Sequence, residues 1–336
     1  MNFAERLQAI WYGGEPPPLA LRALVPIYLG LRNLHRLPYR LGLRAVARLS
    51  VPVIVVGNLT IGGTGKTPLV LALIDALRAR GWSPGVISRG YGGRTIVPTR
   101  VDDGSDPAVV GDEPCLIFKR SGAPIAVARR RADAGRLLLD GRNEITPDLL
   151  IADDGLQHLA LARDIEICVI DGERRFGNGR LLPAGPLREP FDRLGGIAFR
   201  IINGGAPDEG TIAMQLRVEG VISLLDAGQR EPLANWSNRR VHAVAGIGNP
   251  GRFFRLLRDA GIVVIEHPFS DHHAFVAEDL AFNDHLPVLM TEKDAIKCGL
   301  FADNRMHHVA VSATLPQSFF DDIHARLKRG RGTIDN

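Results

Sequence analysis

The chain has 336 residues, 45% of them hydrophobic and 23% charged, with a formal net charge of +4. That length buries one large core or two ordinary ones, so two lobes are expected. Cys115, Cys168 and Cys298 stand apart from one another without metal-ligand spacing, which excludes a disulfide scaffold and a structural zinc site and points to a reducing compartment. The positive charge is local: residues 1–50 hold seven Arg and two Glu, a balance of +5, which leaves −1 for the other 286 residues. No nucleic-acid partner is expected from a body of that balance, and no obligate protein partner is evident.

At the N-terminus, Glu5, Arg6 and the run from Gly13 to Pro18 interrupt any leader-like apolar stretch, so no secretory signal is expected. From Pro18 to Ser50, Leu19, Leu21, Leu24, Ile27, Leu31 and Leu34 mix with Arg22, Arg32, Arg36, Arg40, Arg44 and Arg48. The longest charge-free run there, Ala23 to Leu31, has nine residues, against about 20 needed to cross a bilayer. Such a segment either lies in the interface of an anionic membrane or holds a phosphate-bearing lipid, or it packs as a helix with a solvated arginine face. Residues 1–50 are therefore read as a basic amphipathic segment of their own.

The apolar run Val51 to Val56 is followed by Gly-Asn-Leu-Thr-Ile-Gly-Gly-Thr-Gly-Lys-Thr-Pro at 57–68 and then by the helix-like Leu69 to Arg80. A buried strand, a glycine-rich turn and a helix N-terminus in that order form a phosphate-binding loop, because backbone N–H groups and the helix dipole converge on an anion. Asn58, Thr60, Gly62, Gly63, Thr64, Gly65, Lys66 and Thr67 are the nucleotide-binding candidates, with Lys66 neutralising a β/γ-phosphate and Thr67 ligating Mg²⁺. The generic pattern wants glycine where Thr60 stands. Pro68 suits a first helical turn.

Beyond the loop, strand-like runs at Gly85 to Ser88, Ile125 to Ala128, Leu149 to Ala152, Ile165 to Ile170 and Ile197 to Ile202 alternate with helical stretches. Near-continuous apolar strands of this kind imply a parallel sheet covered on both faces. Thr211 to Glu219 and Val221 to Leu225 read as a small antiparallel linker, and a second series follows at Val241 to Ala245, Ile262 to Glu266, Val288 to Thr291 and Val309 to Ser312. The fold class is thus α/β: a P-loop NTPase-like parallel-sheet domain at 51–205, a short β linker at 206–237 and a smaller α/β lobe at 238–330. Residues 328–336 read as frayed.

In the stretch Pro147 to His158, four apolar residues end in the pair Asp153-Asp154, which puts carboxylates at the carboxyl edge of a buried strand. Either can hold Mg²⁺ or its waters beside Thr67. Gly111-Asp112-Glu113-Pro114 offers Asp112 as the acid group that takes an acceptor's hydroxyl proton. Ser88 to Arg94 presents Arg89, Tyr91 and Arg94 on a glycine-flexed loop suited to phosphate contacts or to plain solvation. Gly246 to Gly251 fits a dinucleotide fingerprint but equally a tight strand-to-helix turn, the preferred reading since a triphosphate site already exists upstream. His272, in Phe269 to Phe275, can orient or tune an acid. Lys293, one of five lysines in the chain, lines a cleft or caps a helix.

Assembled in order, these motifs, together with Pro-Leu-Arg-Glu-Pro at 186–190 and Gly-Asn-Pro-x-Arg-Phe-Phe at 248–254, resemble the tetraacyldisaccharide 4′-kinase family, the lipid A kinases of Gram-negative bacteria, from about Val51 to Lys297. The family carries the same Thr60-type loop. The resemblance implies transfer of the γ-phosphate of ATP, with Mg²⁺, to the 4′-hydroxyl of a tetraacylated glucosamine disaccharide 1-phosphate at the cytoplasmic face of the inner membrane. It further implies Asp112 as general base partnered by His272, Lys66 and Thr67 at phosphate and metal, and Asp153, Asp154 and Glu189 around the metal or catalytic centre.

Overall fold

The structure, a computed structural model, describes residues 3–142, 145–226 and 228–331. In chain order the helices α1 (Phe3–Tyr12) and α2 (Leu19–Arg40) precede β1 (Val53–Gly57), α3 (Lys66–Arg78), β2 (Pro84–Ser88), β3 (Thr99–Val101), α4 (Pro107–Val110), α5 (Asp112–Ser121), β4 (Ile125–Val127), α6 (Arg131–Leu138), β5 (Leu149–Ala152), β6 (Ile165–Asp171) and β7 (Phe199–Asn203). There follow β8 (Ile212–Ser223), β9 (Arg230–Glu231), β10 (Arg240–Ala245), α7 (Pro250–Asp259), β11 (Val263–Pro268), β12 (Val288–Thr291), α8 (Glu292–Cys298), β13 (Met306–Thr314) and α9 (Gln317–Arg331). The expected fraying at 328–336 is not seen as far as Arg331, and residues 332–336 lie outside the described residues.

One mixed sheet runs through the molecule in the order β11-β10-β12-β13-β8-β7-β6-β1-β5-β2-β4-β3, with β9 paired to β8. In the first half β1 lies between β5 and β6, parallel to both, with Val53 opposite Leu150 and Ile54 opposite Ile165. All five β1 residues are buried, as befits a parallel strand covered on both faces. The chain leaves β1 toward β2 on one side and returns to β6 on the other, so β1 ends at a switch point where α/β sheets open a crevice. β3 adds an antiparallel edge.

The two runs read as an antiparallel linker are a single strand. β8 pairs parallel with β7 at its start, with Ile201 opposite Ile212, and antiparallel with β13 over its remainder. It stays continuous because Glu219 bulges out where Ala310 pairs with Gly220 and Val311 with Val218.

Helix α3 buries Leu69, Val70, Leu73, Ile74 and Leu77, a helical stripe, beside Ile117 of α5 and Phe319 of α9. Each such side chain contributes about 1.5–3 kcal/mol. On the opposite face α6 supplies Ala132 and Leu138. The second half repeats the sandwich, with Phe253, Phe254 and Leu257 of α7 on one face and Cys298 of α8 with Phe275 on the other.

The N-terminal segment both packs and protrudes. Ile10 and Trp11 of α1 are buried, and the Trp11 indole Nε1 donates to the Pro183 carbonyl at 3.0 Å. Helix α2 buries no residue. No described helix is long and apolar enough to cross a membrane.

Candidate active site

Gly65 caps α3 with φ of 90°, a left-handed conformation natural to glycine, and a Cβ there would meet the Asn203 amide at 2.1 Å. The loop from Ile61 to Thr67 consequently turns tightly and lines a cleft of about 930 Å³. Thr60 does not disturb it. Thr60 forms an antiparallel bridge with Leu187, flanked by Ile61 N–H donating to the Pro186 carbonyl at 2.9 Å and Arg188 N–H donating to the Leu59 carbonyl at 2.6 Å. The first half of the loop is therefore pinned as extended chain, where a β-branched residue fits as well as glycine. Asn58, fully buried, supports the loop from behind: its Nδ2 donates to the Gly62 carbonyl at 3.1 Å and its Oδ1 faces Lys66 Nζ at 3.4 Å.

Two adjacent carboxylates meet Lys66 on different terms. Asp154 lies in the cleft wall, 3.2 Å from Lys66 Nζ and 3.3 Å from Arg188 Nη1. Burial raises its carboxyl, but Lys66 foremost, with Arg188 and Arg131, holds it well below the usual carboxylate range. Its φ of 46° is a left-handed conformation outside glycine, strain of the kind retained where a side chain must be aimed. Asp153 is 1% exposed, and neither carboxylate oxygen has a protein partner. Burial, reinforced by Glu113 and Asp154, pushes this carboxyl up to about 7 against the pull of Lys66. An orphaned buried carboxylate on the sheet edge beside the phosphate loop suits a hard divalent cation. No cluster of three or more His, Cys, Asp or Glu able to hold a metal occurs among the described residues, as fits Mg²⁺ carried by one or two protein oxygens plus substrate phosphates.

Across the cleft, Gly111 with φ of 98° turns the chain into α5, and Asp112, 4% exposed, begins that helix. The His272 Nδ1 lies 3.1 Å and 3.2 Å from its two oxygens, and Glu113 N–H donates to Oδ1 at 2.8 Å. Burial raises the Asp112 carboxyl, but the His272 hydrogen bond, Lys293 and Lys297 outweigh it and hold Asp112 below its ordinary value. His272 comes from the loop after β11, also with a left-handed φ of 60°. Burial lowers its imidazole, yet the Asp112 hydrogen bond leaves it above the ordinary value. Arg89 and Tyr91 line the same cleft, and the Tyr91 ring lies 4.9 Å from the His272 ring.

Glu189 is not among the cleft-lining residues. Its Oε2 accepts from Arg32 Nη2 at 2.9 Å and Arg36 Nη1 at 2.8 Å, and its Oε1 from Gln157 Nε2 at 3.1 Å. It thus ties α2 to the stretch after Asp154, because a buried carboxylate requires such partners. The turn at Gly246 to Gly251 packs on the phosphate loop: a Cβ on Gly248 would sit 2.6 Å from the Gly63 nitrogen. It closes the cleft, as a tight turn from strand to helix.

Other residues at the site carry no motif. Arg131, 5% exposed, donates to the carbonyls of Asp153 and Asp154 at 2.7–3.2 Å and fixes their turn. Asn203 donates to the Thr64 carbonyl at 2.9 Å and accepts from Arg252 at 3.1 Å. Neither was signalled by the sequence, whereas Arg252 and Arg188 stand in the runs at 248–254 and 186–190 that carry the resemblance. The family model for tetraacyldisaccharide-1-P 4′-kinase matches residues 18–328. A curated tetraacyldisaccharide 4′-kinase of Stenotrophomonas maltophilia is 48% identical over 331 residues, 96% of each chain. That of Methylobacillus flagellatus is 48% identical over 328 residues, 98% of this chain and 97% of its own. A crystal structure of the LpxK protein of Aquifex aeolicus in complex with ATP superposes with a TM-score of 0.74 at 26% identity, covering 91% of this chain and 99% of that one. Matched along nearly its whole length in sequence and fold, the chain belongs to the tetraacyldisaccharide 4′-kinase family.

Proposed function

We infer that this chain transfers the γ-phosphate of ATP to the 4′-hydroxyl of a tetraacylated glucosamine disaccharide 1-phosphate. The observation that carries this reading is one cleft with a phosphate loop on one wall and His272 on the other, backed by the buried Asp112 that it pairs with. Phosphoryl transfer passes through a loose transition state, so catalysis consists of aligning donor and acceptor and neutralising oxygens. Lys66, the loop amides and Arg89 supply positive field toward the phosphates. The acceptor oxygen forms the new bond to the γ-phosphorus as the bond to the bridging oxygen of ADP breaks, and the hydroxyl proton passes to Asp112. A carboxylate held ionised by His272 and Lys293 accepts that proton late, once the sugar oxygen has begun to bond phosphorus. Mg²⁺, when bound, neutralises the β- and γ-oxygens. Thr67 and Asp153 are the residues that would hold it, with Asp154 alongside.

The acceptor is a lipid, and α2 offers it an apolar approach. Leu24, Ile27, Leu31 and Leu34 are 46–66% exposed and recur at helical spacing, with Tyr28 of the same helix lining the cleft. This supports a peripheral enzyme at the cytoplasmic face of the inner membrane, with residues 1–50 as its lipid-facing part, 51–205 as kinase domain, 206–237 as linker and 238–330 as second lobe, whose last helix α9 folds back onto α3 of the kinase domain. The test is direct: ATP labelled at the γ-phosphate is incubated with the tetraacyldisaccharide 1-phosphate, and the product is mapped by ³¹P NMR. Label at the 4′-oxygen, reduced by orders of magnitude in Lys66→Ala or Thr67→Ala, is the expected result. ATP turnover independent of the glycolipid, or full transfer by either variant, overturns the reading.

A further inference from the structure

Lys293, at the start of α8, has an acceptor for every N–H it owns. Its ammonium, on a side chain 15% exposed, lies 3.1 Å from Glu113 Oε1, 3.4 Å from Asp271 Oδ1 and 3.3 Å from His272 Nε2. An ammonium has three donors and no lone pair. Glu113, Asp112 and Asp271 outweigh the effect of burial and hold it charged, above the ordinary lysine value. The third contact therefore requires Nε2 of His272 to be the acceptor, without a proton of its own. The single proton of the neutral ring is then on Nδ1, the nitrogen that faces both oxygens of Asp112 at 3.1 and 3.2 Å.

We propose that Lys293 is a positioning residue that fixes His272 as the Nδ1–H tautomer, so that the imidazole donates to Asp112 and leaves the carboxylate as the group that takes the substrate's proton. Asp112 of α5, Lys293 of α8 and the Tyr91 ring face the His272 ring from neighbouring elements, and Glu113 of α5 holds Lys293 from its other side. Lys297 stands 3.9 Å behind Asp112, and Asp271 on the same loop is 3.8 Å from Nε2. Charging the ring would put a second N–H against the ammonium, while Asp112 and Asp271 pull the imidazole up and Lys293 opposes them. The left-handed backbone at His272 holds the ring between its two partners. Since α5 belongs to the first half of the sheet and α8 to the second, the bond from Lys293 to Glu113 also makes the tautomer a consequence of the two halves being together.

The proposal rests on the reading of Asp112 as base, but the tautomer is measured in the full-length protein without substrates, so its failure is distinguishable from failure of that reading. With ¹⁵N-labelled histidine at pH 8, the His272 ring, assigned by its disappearance in His272→Gln, should show a protonated Nδ1 and a bare Nε2. In Lys293→Met the Nε2–H form should appear beside Asp271, and the acid limb of kcat should move up by roughly one pH unit, since a nearby cation no longer opposes protonation. A wild-type ring protonated on Nε2 alone overturns the proposal, whether or not the variant folds. So does a folded Lys293→Met that keeps the tautomer and the acid limb and only raises KM for ATP, which would make Lys293 a phosphate contact.

Discussion

Asp153 and Asp154 share a turn and a charge yet differ in environment: one pairs with Lys66 and Arg188, the other has no protein partner. Similar environmental control reaches histidines that the proposed transfer does not use. His158 and His308 are each lowered to about 4, foremost by burial, with Arg131 and Arg163 adding to it at His158 and Arg120 at His308. The unfolded chain takes up these protons near its ordinary value of 6.5. Between about pH 6.5 and 4 it thus binds more protons than the folded chain, so stability is intact above that window and declines as pH falls through it. Thermal midpoints recorded from pH 7.5 to 4.5 should fall, and His308→Leu, which removes a half-buried imidazole whose buried Nδ1 has no partner, should make the fall shallower; an identical slope would contradict the assignment. Most of the site was legible because its chemistry is written in contiguous runs: Gly57 to Pro68, Asp153 to His158 and Gly111 to Pro114 each bring their own turn or helix start. Arg131 and Asn203 were not, because each acts singly on a backbone carbonyl of a distant loop, and nothing local marks that.

Among the elements, α2 was the least determined by sequence. Its arginines read as one basic set, but Arg32 and Arg36 turn inward to Glu189, and Tyr28 Oη donates to the Arg188 carbonyl at 2.8 Å. Its apolar positions Leu24, Ile27, Leu31 and Leu34 turn outward. Local pattern gives the two stripes of such a helix, but which stripe packs depends on a buried glutamate about 150 residues away in sequence. Ile27→Glu combined with Leu31→Glu is therefore expected to weaken sedimentation with anionic vesicles while leaving the denaturation midpoint nearly unchanged. Arg32→Glu should instead destabilise the fold by about 1.5–3 kcal/mol, the worth of a charged hydrogen bond, read from urea midpoints. The reverse pattern would return α2 to a merely packed helix. Strand β8 teaches the same lesson: a bulge at Glu219 breaks the local alternation, so one strand reads as two.

At the scale of the molecule, β8 makes two α/β units into one sheet, and the cleft lies where their edges meet. Gly248 from the second unit rests on Gly63 of the phosphate loop, Arg252 on Asn203, and His272 on Asp112. The phosphate loop and the proposed base are thereby referenced to the same second lobe, which is how a transfer geometry can be held without a covalent intermediate. Alternating strands and helices made the two units readable from sequence, whereas their union depends on long-range pairing. The most direct measurement is steady-state phosphate transfer to the tetraacyldisaccharide 1-phosphate by Asp112→Asn, with and without His272→Ala. Asparagine keeps the shape but cannot take a proton, so kcat should fall on the order of 10²- to 10⁴-fold with KM for ATP little changed, and the double variant should be scarcely worse, as for residues acting as one unit. A normal kcat in Asp112→Asn, or losses that multiply fully in the double variant, would contradict a base built from Asp112 and His272 together.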